Sequence, residues 1–486
     1  MIRRLSCLGV LILALGTAGA RADATIDPAL ENFINGQSLE RSAQVIVMLD
    51  IPQNNLQRPY RYDRQRVIEY LQGLMTVATQ NLQMSALTAG VTSQDVQIRE
   101  AYWINLSLSA TVTPQGVKSL ARTSGVAAIY SNKKIIYPRP LNTTPEQVRE
   151  KPRHYAQTGL DKVLQEHPGL DGKDILVGHI DTGVDGKHPA LSGKIALFFD
   201  GKKIGTPTDA DSHGTHTAGT ILGGNHTDNF IGIAPGAKLI SAGFLRNLDE
   251  VLRGMQWMLD PDGNPKTADA PRLVSNSWRV WHDSGMEVEA LYRAVSSWEA
   301  AGIVPVFAGG NEGPRDKTLG HPSQHKDTVC VAATGPDDKI ASFSSRGPGR
   351  YENKEIQKPD IAAPGVEIIS ALPGNRYGKL SGTSMATPQI AGAIALLLQI
   401  NPKLTPPQIR EIFKTTATPA DGTPAGSWNK EYGFGRVNIL KAVKLAARFT
   451  SGHPEPLRNP LTMMLQPSES ELARIKPPAP ALFSWD

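Results

Sequence analysis

Cysteine is nearly missing from this 486-residue chain, which has only Cys7 and Cys330. Cys7 falls in a segment that reads as a cleaved leader, so Cys330 stands alone in the mature chain and no internal disulfide can form. Cys330 sits in the apolar run Thr328-Val-Cys-Val-Ala-Ala333, the setting of a small buried core residue rather than of a nucleophile. Long apolar runs are scarce as well. Beyond the leader no stretch approaches membrane-spanning length, so no membrane span is expected once the leader is removed. Runs of lysine or arginine are absent, which argues against a nucleic-acid partner in spite of a sequence pI near 9.0. No repeat of fixed period occurs.

What remains is ordinary for globular protein, 40% hydrophobic and 20% charged, and longer than a single domain of common size. Arg3 and Arg4 form a positive start, residues 7–15 an apolar core too short to cross a bilayer, and Ala20-Arg21-Ala22 a small-x-small cleavage site. A membrane anchor is the alternative, and the short core argues against it. Leu5-Ser6-Cys7 resembles a lipoprotein cleavage box but precedes the apolar core instead of following it. The signal peptide, residues 1–22, holds three arginines and no acid, so its removal lowers the net charge from +5 to +2. The chain is therefore expected to be secreted or periplasmic.

Residues 23–145 form a first unit. Val45-Ile-Val-Met-Leu49 is a continuous apolar strand, and Val67, Leu71, Leu74, Ala78 and Leu82 recur at helical spacing. Between 102 and 112, Tyr102, Ile104, Leu106, Leu108, Ala110 and Val112 alternate with Asn105, Ser107, Ser109 and Thr111, the pattern of one half-buried strand. Pro114 opens a short helix that Gly125 can end, and residues 126–130 make another strand. The order β-α-β-α-β predicts a small α+β, ferredoxin-like sandwich. From 146 to 450 the pattern changes. Strands read at 175–180, 238–243, 273–277, 303–307 and 329–333 alternate with helices at 248–259, 286–300, 384–399 and 405–416. Such alternation predicts an α/β unit, a parallel β-sheet with helices on both faces and its site at the carboxyl ends of the strands. Residues 451–486 hold 7 of the 36 prolines and no periodicity, which fits a C-terminal tail without a packed core.

Four segments of the second unit carry chemistry. In Val177-Gly-His-Ile-Asp-Thr-Gly-Val184 an apolar strand runs into Asp181, where a buried carboxylate can hold a histidine. In Asp211-Ser-His-Gly-Thr-His-Thr-Ala-Gly219, His213 opens a helix and can present one ring nitrogen to Asp181 and the other to a nucleophile. Ser381-Gly-Thr-Ser-Met-Ala-Thr-Pro388 places Ser384 in the first turn of an apolar helix, where unpaired N–H groups favour developing negative charge. Val306-Phe-Ala-Gly-Gly-Asn-Glu-Gly313 supplies Asn311, whose amide can join the backbone N–H of Ser384 around an oxyanion. Taken singly, Asp181 could be a strand-end cap, His213 a helix-capping histidine and Ser384 an N-cap. Together they form a set that those separate roles do not explain. His213 and His216 stand near Asp209, Asp211 and His226, but the His-Glu-x-x-His pattern of zinc peptidases is missing, and His216 reads as a packing residue.

These segments resemble the subtilase family of serine peptidases. The order Asp, His, Ser is that of subtilisin, and the likeness extends to Phe343-Ser-Ser-Arg-Gly-Pro348 and Tyr432-Gly-Phe-Gly-Arg-Val-Asn438. The resemblance implies a subtilisin-like fold and a serine endopeptidase acting on polypeptides. It makes Ser384 the nucleophile, His213 the base and then acid, Asp181 the orienting carboxylate, and Asn311 with the Ser384 N–H the oxyanion hole. It also makes residues 23–145 an inhibitory propeptide, cut off between 138 and 155. A permanently attached domain of another role is the alternative.

The same resemblance places a pocket for the substrate residue before the scissile bond (P1). Ser277, Trp278 and Arg279 fall on one wall, Ala308, Gly309 and Gly310 on the other, and Gly320 on the floor. Asn276-Ser277-Trp278 looks like the bacillopeptidase branch, which continues with glycine where this chain has Arg279. The arginine either enters the cleft or turns to solvent. The small residues opposite suggest room for bulky apolar P1 groups. The glycine-rich edge that pairs with upstream substrate residues is shortened after Arg246, which puts those subsites in doubt. No cofactor is expected. The usual tight calcium site looks missing, because Ala190 follows His188-Pro189 where relatives carry aspartate, and His226 stands where a side-chain oxygen is needed. An inactive peptide-binding homologue and a transamidating, cyclising relative are the other functions compatible with this pattern. An α/β-hydrolase is not, since the serine motif ends in Ala386 and the triad order differs.

Overall fold

The computed structural model describes residues 23–50, 60–135, 141–145, 151–226, 231–243, 246–280, 288–420 and 422–449; the leader and the proline-rich tail lie outside them. The first domain has strands β1 (Thr25–Ile26), β2 (Ala43–Leu49), β3 (Val96–Tyr102), β4 (Ser107–Val112) and β5 (Val126–Ser131), in the order β1-β5-β2-β4-β3. Helices α1 (Arg64–Thr88) and α2 (Pro114–Ala121) cover one face. Both are capped as their sequences allow: Asp63 accepts from Arg66 N, and Thr113 from Gly116 N with Pro114 behind it. A further strand, β6 (Leu141–Pro145), follows this domain.

β2 is apolar throughout because both of its faces are covered. Val45, Val47 and Leu49 pack on α1 and α2, whereas Ile46 and Met48 pack on the second domain. The alternating stretch 102–112 is not one strand. It is the hairpin β3–β4, broken by a turn over residues 103–106 with Leu106 at φ +58°. The alternation persists because the turn is buried in the second domain. There Ile104 N donates to Gln256 Oε1 at 3.2 Å, Ser297 Oγ donates to Ile104 O, and Asn105 Nδ2 donates to Ala290 O at 3.1 Å. A pattern of burial on both sides mimicked a pattern of strand.

The second domain is built on a seven-stranded parallel sheet. Its strands are β7 (Leu176–Ile180), β8 (Ile195–Phe199), β9 (Lys238–Ala242), β10 (Leu273–Asn276), β11 (Val304–Ala308) and β12 (Val329–Thr334), with β15 (Ile361–Pro364) at one edge. A small hairpin, β13 (Gly349–Tyr351) and β14 (Lys354–Ile356), precedes β15, and β16 (Ile368–Leu372) and β17 (Arg376–Ser381) follow it. Two short helices, Arg153–Thr158 and Leu160–Glu166, precede β7, and the longer helices are α3 (His213–Leu222), α4 (Leu248–Leu259), α5 (Val288–Ala300), α6 (Thr383–Ile400), α7 (Pro406–Thr416) and α8 (Ile439–Ala446). The strands foreseen from the sequence agree to within a residue at each end. α6 corrects the expectation that no stretch beyond the leader approaches membrane-spanning length: it is apolar and long enough to cross a bilayer, yet 89% of that stretch is buried inside the fold, the place of a core helix. Cys330 is fully buried, and burial pushes its thiol up to about 12.

The sheet order is β15-β12-β11-β10-β7-β9-β8, so the connections that leave the neighbouring strands β7 and β10 run to opposite sides of the sheet. Pockets form at such a switch point. Register sharpens this: Ile180 lies opposite Asn276, and Asn276 opposite Phe307. Asp181, Ser277 and Ala308 therefore leave the sheet in one row.

Candidate active site

Asp181 continues β7 and is fully buried, its N–H donating to Ala242 O at 3.1 Å. The chain then bends at Gly183, whose φ of +137° suits glycine and whose Cβ would stand 2.2 Å from Thr208 O. A Cβ on Gly214 would stand 2.0 Å from Gly183 O. The first turn of α3 thus rests directly on the backbone after Asp181, and this close approach brings His213 into reach. His213 Nδ1 lies 2.6 Å from Asp181 Oδ1. Thr182 N donates to the same oxygen at 2.8 Å, and Thr217 Oγ1 donates to Oδ2 at 3.0 Å.

Burial disfavours charge on both partners, but their attraction and shared hydrogen bond outweigh it. Asp181 is held below the ordinary carboxylate value and His213 above the ordinary imidazole value. With Nδ1 committed to Asp181, ring geometry aims Nε2 the other way. His179, two residues before Asp181 on β7, braces the carboxylate from behind. Its Nε2 lies 2.8 Å from Thr217 Oγ1 and its Nδ1 3.0 Å from Ser241 Oγ. Since Thr217 gives its proton to Asp181, His179 Nε2 must donate, and burial keeps this ring neutral.

Ser384 is the second residue of α6 and is buried. Pro388 lacks the N–H that would bond the carbonyl four residues back. That carbonyl, on Ser384, accepts instead from Ser277 Oγ at 3.0 Å, while Ser384 Oγ donates to Ser277 O at 3.3 Å. The proline thus ties the helix start to the end of β10. Asn311 follows β11; its Oδ1 accepts from Thr383 N and Thr383 Oγ1, both at 2.9 Å. This fixes the amide so that Nδ2 faces the start of α6, 3.2 Å from where a Cβ on Gly382 would be.

The structure therefore brings together Asp181 and His213, and separately Asn311, Ser277 and Ser384. Four positioning residues escaped the sequence reading: Thr182, Thr217, His179 and Thr383. Each carried a local signal. Thr217 is four residues after His213 on one helix, His179 shares the strand face of Asp181, and Thr182 and Thr383 adjoin motif residues. His216 packs as expected, its Nε2 2.9 Å from Ile368 O, and burial takes its pKa down to about 3.

Several expectations about the pocket need correction. Trp278 is wholly buried with its ring against Phe307, so its side chain belongs to the core and only its backbone can meet a substrate. Arg279 does not turn to solvent; it is 9% exposed and its Nη2 is paired with Glu312 Oε1. Gly320 N donates to Gly309 O at 2.9 Å, so the floor is joined to the wall formed by Ala308, Gly309 and Gly310. The shortened upstream edge still accepts a strand: Ile135 N donates to Arg246 O at 2.8 Å, and Leu248 N to Lys133 O at 2.9 Å. At the two positions where the usual tight calcium site is altered, the side chains are no calcium ligands. Ala190 packs in an apolar cluster with Ile231 and Ala371, and the His226 ring lies against Tyr155, so neither position offers a hard oxygen.

A buried carboxylate–imidazole pair, a serine at a helix start and an oriented amide at the carboxyl ends of a parallel sheet define a serine-type endopeptidase. The chain belongs to the subtilase family, whose sequence profile (Subtilase family, Peptidase_S8) matches residues 172–435. It is 34% identical over 373 residues to Serine protease AprX of Bacillus subtilis (strain 168), covering 69% of this chain and 78% of that protein. It is 36% identical over 307 residues to Bacillopeptidase F of the same strain, of which it spans 21%. Subtilisin E, also from that strain, is 30% identical over 351 residues, 69% of this chain and 80% of the relative.

Proposed function

We propose that the protein is a secreted or periplasmic endopeptidase, made as a zymogen, in which Asp181, His213 and Ser384 form the catalytic triad. His213 takes the proton of Ser384 Oγ as the hydroxyl attacks the scissile carbonyl, and later returns it to the leaving amine. Asp181 holds the imidazole in the tautomer with a proton on Nδ1 and stabilises the imidazolium. Asn311 Nδ2 and Ser384 N receive the oxyanion. The observation that carries this reading is the 2.6 Å contact of His213 with a buried, threefold-bonded Asp181, on strands whose register sends Asp181 and Ser277 out beside each other. The leader pattern supports export.

The zymogen reading rests on how the first domain ends. Residues 133–135 pair antiparallel with 246–248, the edge that relatives use for upstream substrate residues. β6 pairs antiparallel with β17, which runs into Gly382 and Ser384. A chain laid along both edges is a substrate in place, held by main-chain hydrogen bonds. The first cut then falls between Pro138 and Leu141, the start of the interval 138–155 expected from the sequence and part of a stretch outside the described residues. Comparison of wild type with Ser384→Ala tests both points. The wild type should react with a fluorophosphonate probe and yield a mature chain whose N-terminus sequences to this interval. The variant should do neither. Processing of the variant by itself would sink the proposal.

A further inference from the structure

The chain leaves β10 and β11 as two walls, residues 277–280 and 308–312. Residues 319–321 close the space between them, since Gly320 N donates to Gly309 O and Val280 N to His321 O, each at 2.9 Å. The recess so formed opens beside Ser384, whose hydroxyl donates to Ser277 O. A peptide whose carbonyl carbon meets Ser384 puts its P1 side chain there. The glycines of wall and floor leave space, but the space is filled from within. A Cβ built on Gly320 would stand 2.8 Å from Arg279 Cδ, 3.0 Å from its Cβ and 3.4 Å from its Cγ. The whole aliphatic stem of Arg279 lies on the floor. Its Nη2 then reaches the far wall and pairs with Glu312 Oε1. Glu312 is itself tethered, for its Oε2 accepts from Asn311 N at 3.0 Å and from Ser345 Oγ at 3.3 Å. The side chain of Arg279 is 11% exposed and that of Glu312 26%.

We propose that Arg279, pinned by Glu312, is a specificity-determining plug that shortens the P1 pocket, so that the enzyme cuts after small residues such as alanine and serine. A large apolar P1 group must either displace the guanidinium and break an ion pair anchored to the oxyanion-hole backbone, or bury itself against charge. A small P1 group needs neither. This inference rests on Ser384 as nucleophile. It reverses the expectation of bulky P1 groups, because the room that Gly309, Gly310 and Gly320 provide is used by the protein itself.

The test uses the full chain after its own processing and a peptide series that differs only at P1, with alanine, serine, leucine, phenylalanine, glutamate and lysine. The wild type should show kcat/KM for alanine and serine about tenfold or more above leucine and phenylalanine. Arg279→Gly should raise the phenylalanine-to-alanine ratio by about tenfold or more, with active sites counted by fluorophosphonate labelling. Three results overturn the proposal: a wild type that prefers leucine or phenylalanine, a wild type that prefers glutamate, or an Arg279→Gly enzyme with an unchanged ratio. The wild-type profile decides the matter even if the variant fails to fold. A wild type that neither cuts any peptide nor takes the probe removes Ser384 as nucleophile, an outcome distinct from a wrong P1 order.

Discussion

The floor of the active site and the recess beside it are built on the same sheet ends in opposite ways. On the floor, every polar side chain is locked by short-range partners. Asp181 is held by Thr182, Thr217 and His213, and Asn311 by Thr383. Apart from Thr182, those partners are distant in sequence from the residue they hold, but Thr217 lies one helical turn after His213 and Thr383 next to Ser384. In the recess one long side chain, Arg279, crosses to a partner on another strand's loop, Glu312. Reaction chemistry needs atoms fixed to within fractions of an ångström, and backbone register supplies that. Specificity needs only that a space be full or empty, and a single flexible side chain decides it.

That contrast can be broken, and the largest effect should come from Ser384. Ser384→Ala should lower kcat on the order of 10⁶-fold, a magnitude carried over from subtilisin, without loss of folding by thermal unfolding. Next comes Asp181→Asn, with a loss on the order of 10⁴ in kcat. Because Asp181 holds the His213 pKa above the ordinary imidazole value, and only the unprotonated ring is a base, kcat/KM of the wild type should fall as pH drops through a point above about 6.5. In the asparagine variant that acid limb should move to lower pH, and a limb that stays in place would break the assignment of His213 to Asp181.

Smaller effects sharpen the comparison. Asn311→Ala should cost about 10²–10³ in kcat with little change in KM, again a figure carried over from subtilisin; a loss seen mainly in KM would move Asn311 out of the oxyanion hole. Thr383→Val removes the hydroxyl that helps orient the Asn311 amide and should cost roughly tenfold or less, with the P1 order unchanged. A changed P1 order would mean that floor and recess are not separate devices. The smallest effect expected is none: chelator should leave the melting temperature of the processed enzyme where it was, since Ala190 and His226 offer no hard oxygen. A fall of several degrees on chelation would show a cation site elsewhere.

Much of this molecule is legible in its sequence, for reasons that can be named. The strands of the parallel sheet are buried on both faces, so they read as unbroken apolar runs, and Asp181, Asn311 and Ser384 sit at their ends or at the helix that follows. The failures are equally physical. Residues 102–112 alternate like a strand, but Ile104 is apolar because it is buried against α4 and α5, and Leu106 because it joins the core of the first domain across the turn between β3 and β4. Trp278 lies in a motif that meets substrate, yet its ring faces the core, because successive side chains of an extended chain point to opposite sides. The β16–β17 hairpin passed unnoticed. Its role as the edge that holds β6 depends on a partner far away in sequence.

By itself the sequence determined the class of fold, the order of carboxylate, imidazole and hydroxyl along the chain, and the strand ends and helix starts that carry them. These follow from neighbours within a helical turn or along one strand, so spacing encodes them. Tertiary structure alone decided that β2 faces two domains at once, that His179 stands behind Asp181 through Thr217, and that Arg279 lies on Gly320 and reaches Glu312. Each of these joins residues whose separation in sequence says nothing of their distance in space, and only the packing of one element on another sets that distance.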